Sequence, residues 1–253
     1  MHKLINILIL SAILSLPLYA QEQDEAANWL SRIDSTERVG HSYSEIRQII
    51  TTSGGEERTL SARSWSAEVG DLSLMEYTDP PRVKGDKILM RNGGDNIWYY
   101  MKRRDVIRHF SGHTRRQSAM GSDFSYEDLS QGTMTEDYRA KMSGYENLDG
   151  VMCVKLKLYP TESGPSYDHL ILWAGIDDAL TRKIEYYDED GFLKTLYFSN
   201  IQIVEGRKMA LKMEMVNERE STRTSMIIDK ITFRLKPVDW IFTKEALSRE
   251  IPQ

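Results

Sequence analysis

Cysteine is almost absent from this chain. Its 253 residues include one, Cys153, so no intramolecular disulfide can form. A lone thiol inside a strand-like stretch reads as a buried strand residue rather than a nucleophile. Long apolar runs are missing beyond the first twenty residues, so no later segment is expected to cross a membrane as a helix. Catalytic loops are missing too: there is no G-x-S-x-G elbow, no P-loop and no G-x-G-x-x-G. Basic charge is not in excess. The formal net charge is −5, which argues against nucleic acid as a partner.

What is present starts with "MHKLINILILSAILSLPLYA". Lys3, an apolar run from Leu4 to Leu16, Pro17 and then Ala20 have the layout of a secretory signal peptide, with a cut expected after Ala20. Residues 21–253 are then expected to form a single exported domain. Ala26, Trp29, Leu30 and Ile33 follow at helical spacing and predict a short amphipathic helix. From His41 the pattern changes. Segments of period two alternate with turn signals such as "NGGD" (92–95), "LDG" (148–150) and "DEDG" (188–191). Met152, Val154, Leu156 and Leu158 share one face of a strand whose other face carries Lys155 and Lys157. Between residues 41 and 234 the pattern predicts about eleven strands without a linker, which favours one strongly curved antiparallel sheet. The tail 237–253 mixes a strand-like start with a helical end.

Candidate chemistry is sparse. His109 and His113 stand four apart in "RHFSGHTRR", but Gly112 and the strand pattern speak against a helix, and the arginines repel a cation. A hydrolase built on either histidine lacks a nucleophile at a recognisable spacing. Glu127 and Asp128 are adjacent, so on a regular element they face different ways and make a poor acid–base pair. The basic run holds Arg103, Arg104, Arg108, Arg115 and Arg116. It reads either as the solvated face of a hairpin or as a docking patch for an acidic or anionic partner. The methionine-rich face of "RKMALKMEMVNE" reads either as core or as an adaptable lipid-accepting wall.

Several stretches in order carry a family resemblance: "DPPRVKGDKIL" (79–89), "IWYYMKRRDVIRH" (97–109), "MGSDFSYEDLS" (120–130), "LDGVMCVKLKLYP" (148–160), "ILWAGIDDALTRKIEYYDEDGFLKTLYF" (171–198) and "TRTSMIIDKITF" (222–233). Together they resemble the LolA-like outer-membrane lipoprotein-sorting proteins, in the branch associated with RND-type exporters. Met101 departs from the proline common at that point in the family. The resemblance implies a mainly β fold, an incomplete antiparallel barrel with short helices covering its open side. It implies a periplasmic carrier of lipid or lipoprotein acyl chains, with an inner-membrane exporter and an outer-membrane acceptor as partners, acting as a monomer without catalysis, cofactor or metal. A non-catalytic adaptor docking on the exporter through the basic hairpin is the alternative. The expected cavity lining is Met209, Leu211, Met213, Met215, Met226 and Ile228, with Trp65, Trp98 and Trp173 as aromatic walls. A lid helix is expected at about 123–130, capped by Ser122 or Asp123 and carrying Phe124, Tyr126 and Leu129.

Overall fold

A computed structural model describes residues 23–252, apart from 69–70, 131–132 and 163 and the side chains of 112 and 113. The signal-peptide segment lies outside the described residues. The chain opens with helix α1, residues 23–37. A first meander follows: β1 (Ser42–Thr51), β2 (Glu57–Ala67), β3 (Leu72–Asp79), β4 (Lys87–Arg91), β5 (Asn96–Met101) and β6 (Val106–Phe110). A crossing segment, residues 111–137, ends in the single turn of α2 (Met134–Asp137). The second meander is β7 (Tyr138–Leu148), β8 (Val151–Pro160), β9 (His169–Gly175), β10 (Thr181–Asp188), β11 (Gly191–Val204), β12 (Arg207–Asn217) and β13 (Thr222–Thr232). The short strands β4 to β6 raise the count to thirteen from the expected eleven or so.

Strand β1 pairs with β13, so the two meanders fuse into one antiparallel sheet ordered from β6 through β1 and β13 to β7. Its edges, β6 and β7, do not pair with each other, and the barrel stays open. The crossing segment links one edge to the other. Hairpin chemistry sets the register of the long strands. Between β7 and β8, Asp149 (φ 50°) and Gly150 (φ 87°) both adopt the left-handed conformation of a type I′ turn, which Asp-Gly supplies at little cost.

Each face of the sheet has its own cover. On the inner face, Val154, Leu156 and Leu158 of β8, Leu170 and Leu172 of β9, and Ile184 of β10 pack beneath Ala26, Leu30 and Ile33 of α1. That is the helical spacing read from the sequence, and its apolar stripe lies on the sheet. The inner core continues over β1 to β6 as a second cluster holding Leu60, Tyr77, Ile88 and Ile97, with Met75 and Leu129 packed against both. On the outer face, Trp65, Leu74, Leu89 and Tyr100 are covered by Ile241, Phe242, Ala246, Leu247 and Ile251 of the C-terminal strap, residues 235–252. The strap runs through two short 3-10 turns, Asp239–Phe242 and Lys244–Ser248. Among the described residues no helix is long and apolar enough to cross a membrane.

Candidate functional site

The methionine strand β12 sits near the middle of the sheet, where α1 gives way to the crossing segment. Met209, Leu211, Met213 and Met215 alternate onto the inner face. Register carries the row onward: Met213 pairs with Met226 and Met215 with Thr224, while Ile228 of β13 pairs with Ile46 of β1. Six of the nine expected lining residues therefore share one surface. Their burial is graded. Met215 and Met226 belong to the buried inner cluster, and Met213 packs against it. Met209, Leu211 and Ile228 are half-buried, and none packs against a buried cluster of the described residues. They extend the inner face as a half-buried apolar strip.

The three tryptophans are elsewhere, and the expectation that they wall this surface is corrected. Trp65 and Trp98 point to the outer face, Trp65 in the cluster under the strap and Trp98 stacked on His109 at 5.0 Å. Trp173 is also outward, because its neighbours Leu172 and Ala174 take the inward positions. Its indole N–H donates to Glu146 at 3.1 Å, and Lys183 and Lys155 lie over its ring at 4.3 and 4.8 Å.

The crossing segment covers the inner face, but not as the expected helix over 123–130. Ala119 N–H donates to Phe124 O at 2.8 Å and Tyr126 N–H to Gln117 O at 3.1 Å, with a bridge between Ser118 and Ser125. This tight loop uses the amides that a helix would need. One helical turn follows, and its cap is Ser125 rather than Ser122 or Asp123. Asp128 N–H donates to Ser125 Oγ at 3.0 Å, and Ser125 N–H to Asp128 Oδ2 at 2.7 Å, a reciprocal capping box. Ser122 is buried and closes the loop, its hydroxyl donating to Ala119 O at 2.7 Å. Phe124 enters the cluster under α1, and Tyr126 stacks on Phe110 at 4.3 Å in the other.

Polar anchors fix this cover. Asp123 accepts from Thr222 Oγ1 and, at 2.6 Å, from Thr224 Oγ1, both on β13. Asp128 is ion-paired with Lys194 of β11, and the two side chains are 1% and 6% exposed. Tyr167 donates to the same carboxylate at 2.6 Å. Burial, together with the neighbouring Asp128 charge, holds the Tyr167 hydroxyl well above the usual phenol range. From β2, Arg58 donates to Met120 O at 2.8 Å and Gly121 O at 2.6 Å. Asp34 of α1 accepts from Met134 N–H and Thr135 N–H at 3.3 Å each, joining the two inner covers. The Lys194, Thr222 and Thr224 partners were missed from sequence, since nothing local marks a contact about 70 to 100 residues away.

The basic residues separate. Arg103 and Arg104 occupy the exposed tip of the β5–β6 hairpin, and Arg108 lies exposed on edge strand β6. Arg116 is exposed on the crossing segment, whereas Arg115 is half-buried and bonds Asp95 at 3.2 Å. Cys153 is fully buried, and burial raises its thiol.

The comparisons with known proteins agree with this architecture. A crystal structure of a DUF1329 family protein from Desulfovibrio piger superposes with TM-score 0.83 at 26% identity, over 89% of this chain and 99% of that one. An outer membrane lipoprotein-sorting protein domain from Vibrio parahaemolyticus gives TM-score 0.83 and 26% identity, over 90% and 100%. A LolA superfamily protein from Nitrosomonas europaea shares the fold with TM-score 0.73 at 20% identity, over 87% and 98%. No curated protein matches the chain. A family model described as "uncharacterized protein" matches residues 70–249. That model spans most of the chain, so the chain belongs to the family it describes, and its open thirteen-stranded sheet is the LolA-like fold of these solved structures.

Proposed function

We propose that this protein is a periplasmic carrier that takes lipid or lipoprotein acyl chains along the inner-face strip and delivers them towards the outer membrane. The observation that carries the reading is the half-buried apolar row of Met209, Leu211 and Ile228, which continues the buried inner face but packs against none of its clusters. Methionine suits such a row because its unbranched, polarizable chain adapts to acyl chains of different shape. Each methylene laid there contributes about 0.8 kcal/mol. A longer chain needs more room, and the crossing segment is the cover that would move. Its polar anchors can be broken and remade, whereas a fused core could not release cargo. The leader ending at Ala20 would supply the compartment. The reading involves no catalysis, cofactor or metal.

The exposed tip arginines, Arg103 and Arg104, favour a second element: docking on an inner-membrane exporter of the RND type. As an adaptor alone, the protein would use that hairpin and carry no lipid. Titration of delipidated protein with a fluorescent fatty acid separates the two. The carrier reading expects saturable binding, weakened at least about tenfold by Leu211→Glu, since a charge on the strip must be desolvated. It expects no change with Arg103→Glu plus Arg104→Glu, which should instead abolish co-purification with the exporter. Absence of acyl ligand by mass spectrometry together with absence of probe binding would overturn the carrier reading.

A further inference from the structure

The outer face holds a groove of about 1600 Å³ between the C-terminal strap and strands β1 to β5 and β13. It lies on the opposite side of the sheet from the methionine strip and is independent of it. Its lining is charged and unevenly matched. Glu45 pairs with Lys230 at 3.2 Å, Asp229 with Arg47 at 2.6 Å, and Glu76 with Arg63 at 2.7 Å. Lys84, Lys102 and Arg249 also line the groove, and among the described residues no carboxylate stands within ion-pair distance of them. Glu250 is the acid left over on the rim.

The backbone brings two of these cations together. Gly85 has φ +84°, and a Cβ there would lie 3.0 Å from Lys102 Nζ, so the absence of a side chain lets Lys102 lie across the loop that carries Lys84. Below them, buried Lys87 donates to Leu247 O at 3.0 Å and Arg249 O at 2.9 Å, which fixes the strap and with it the Arg249 backbone. Burial lowers the Lys87 amine from its usual value. Glu76 opposes that shift, and repulsion from Lys102 and Arg63 adds to it. Glu76 answers Lys87 and Arg63, at 3.8 and 2.7 Å, while the side-chain ammonium groups of Lys84 and Lys102 and the Arg249 guanidinium have no carboxylate partner among the described residues. Tyr43 and Trp240, the latter 40% exposed, supply flat apolar walls beside them.

We propose that this groove binds a phosphate-bearing ligand with a flat or apolar body. The phosphate oxygens accept from Lys84, Lys102 and Arg249, and the body lies against Tyr43 and Trp240. Three donors from separate segments call for a ligand with several acceptor oxygens and more than one negative charge, which phosphate meets and a single carboxylate does not. The phosphate could belong to a soluble compound or to a lipid headgroup.

Calorimetric titration of the full chain with inorganic pyrophosphate and with dihexanoyl phosphatidic acid tests this. Saturable binding of at least one is expected, weakening as salt is added. Lys84→Ala with Lys102→Ala should weaken it at least about tenfold. Both side chains are exposed, so the fold should survive, and an unchanged thermal midpoint checks that. Leu211→Glu should leave the binding intact, which separates this groove from the lipid strip. Tighter phosphatidic acid supports a lipid headgroup, and equal or tighter pyrophosphate supports a soluble phosphate. No saturable binding of either probe, or equal affinity in the double-lysine variant, overturns the proposal.

Discussion

The two covers of the sheet are built on different principles. The outer strap is held mainly by apolar anchors, with Ile241, Phe242, Ala246, Leu247 and Ile251 all buried against β2 to β5. The inner crossing segment buries fewer apolar side chains fully, Ala119, Phe124 and Tyr126, with Met120, Leu129 and Met134 half-buried, and adds a larger set of polar anchors. Asp123, Asp128, Arg58 and Asp34 each bind across elements far apart in sequence. Apolar burial is non-directional and survives small shifts. Hydrogen bonds and buried ion pairs need their geometry and are lost together when a segment slides. The strap thus behaves as part of the core, and the crossing segment as a cover with a defined seat.

The largest expected effect falls on the strap. Phe242→Ala should cost about 4 kcal/mol, because it removes a fully buried ring and leaves a cavity. Urea denaturation measures it, and hydrogen exchange should rise across the whole sheet. A loss under about 1 kcal/mol would mean that the strap is not core. The crossing segment should respond differently. Asp128→Ala strands Lys194 in a buried site and should cost about 3 kcal/mol. Here hydrogen exchange should quicken first at 117–130, ahead of the strap. Equal quickening in both covers would erase the contrast between them.

How much of this was legible in the sequence depends on whether a strand has one wet face. In β8 the alternation of Val154, Leu156 and Leu158 with Lys155 and Lys157 was readable, because the lysine face meets solvent. The methionine row on β12 and its neighbours on β13 were readable for the same reason. The period of α1 was readable from Ala26, Leu30 and Ile33. In the first meander both faces are covered, and β4 is buried at Lys87, Ile88, Leu89 and Met90 alike. There alternation disappears, and the facing of Trp65 and Trp98 could not be deduced. The acidic stretch at 123–128 looked like a helix start because Ser and Asp are capping residues. Asp128 does cap one turn with Ser125, but it also pairs with Lys194, and Asp123 binds Thr222 and Thr224, contacts fixed only by the fold.

The smallest expected effect concerns the end of the crossing segment, where the inner cover meets β7. Burial, with Asp95, Glu136 and Asp34 nearby and Arg115 opposing, pushes the Asp137 carboxyl up to about 6 from 3.8. A raised carboxyl means that the folded chain binds its proton more tightly than the unfolded chain does. The penalty of ionising Asp137 is therefore fully present above pH 6, and it fades as the pH falls from 6 towards 4. Asp137→Asn removes the charge at every pH. It should raise the thermal midpoint relative to the parent at pH 7.5, and the gap should shrink by pH 5 as the parent protonates. A gap of constant size across that range would show that the side chain contributes through shape rather than charge. A shrinking gap would mark the inner cover as gaining stability in mild acid at its attachment point.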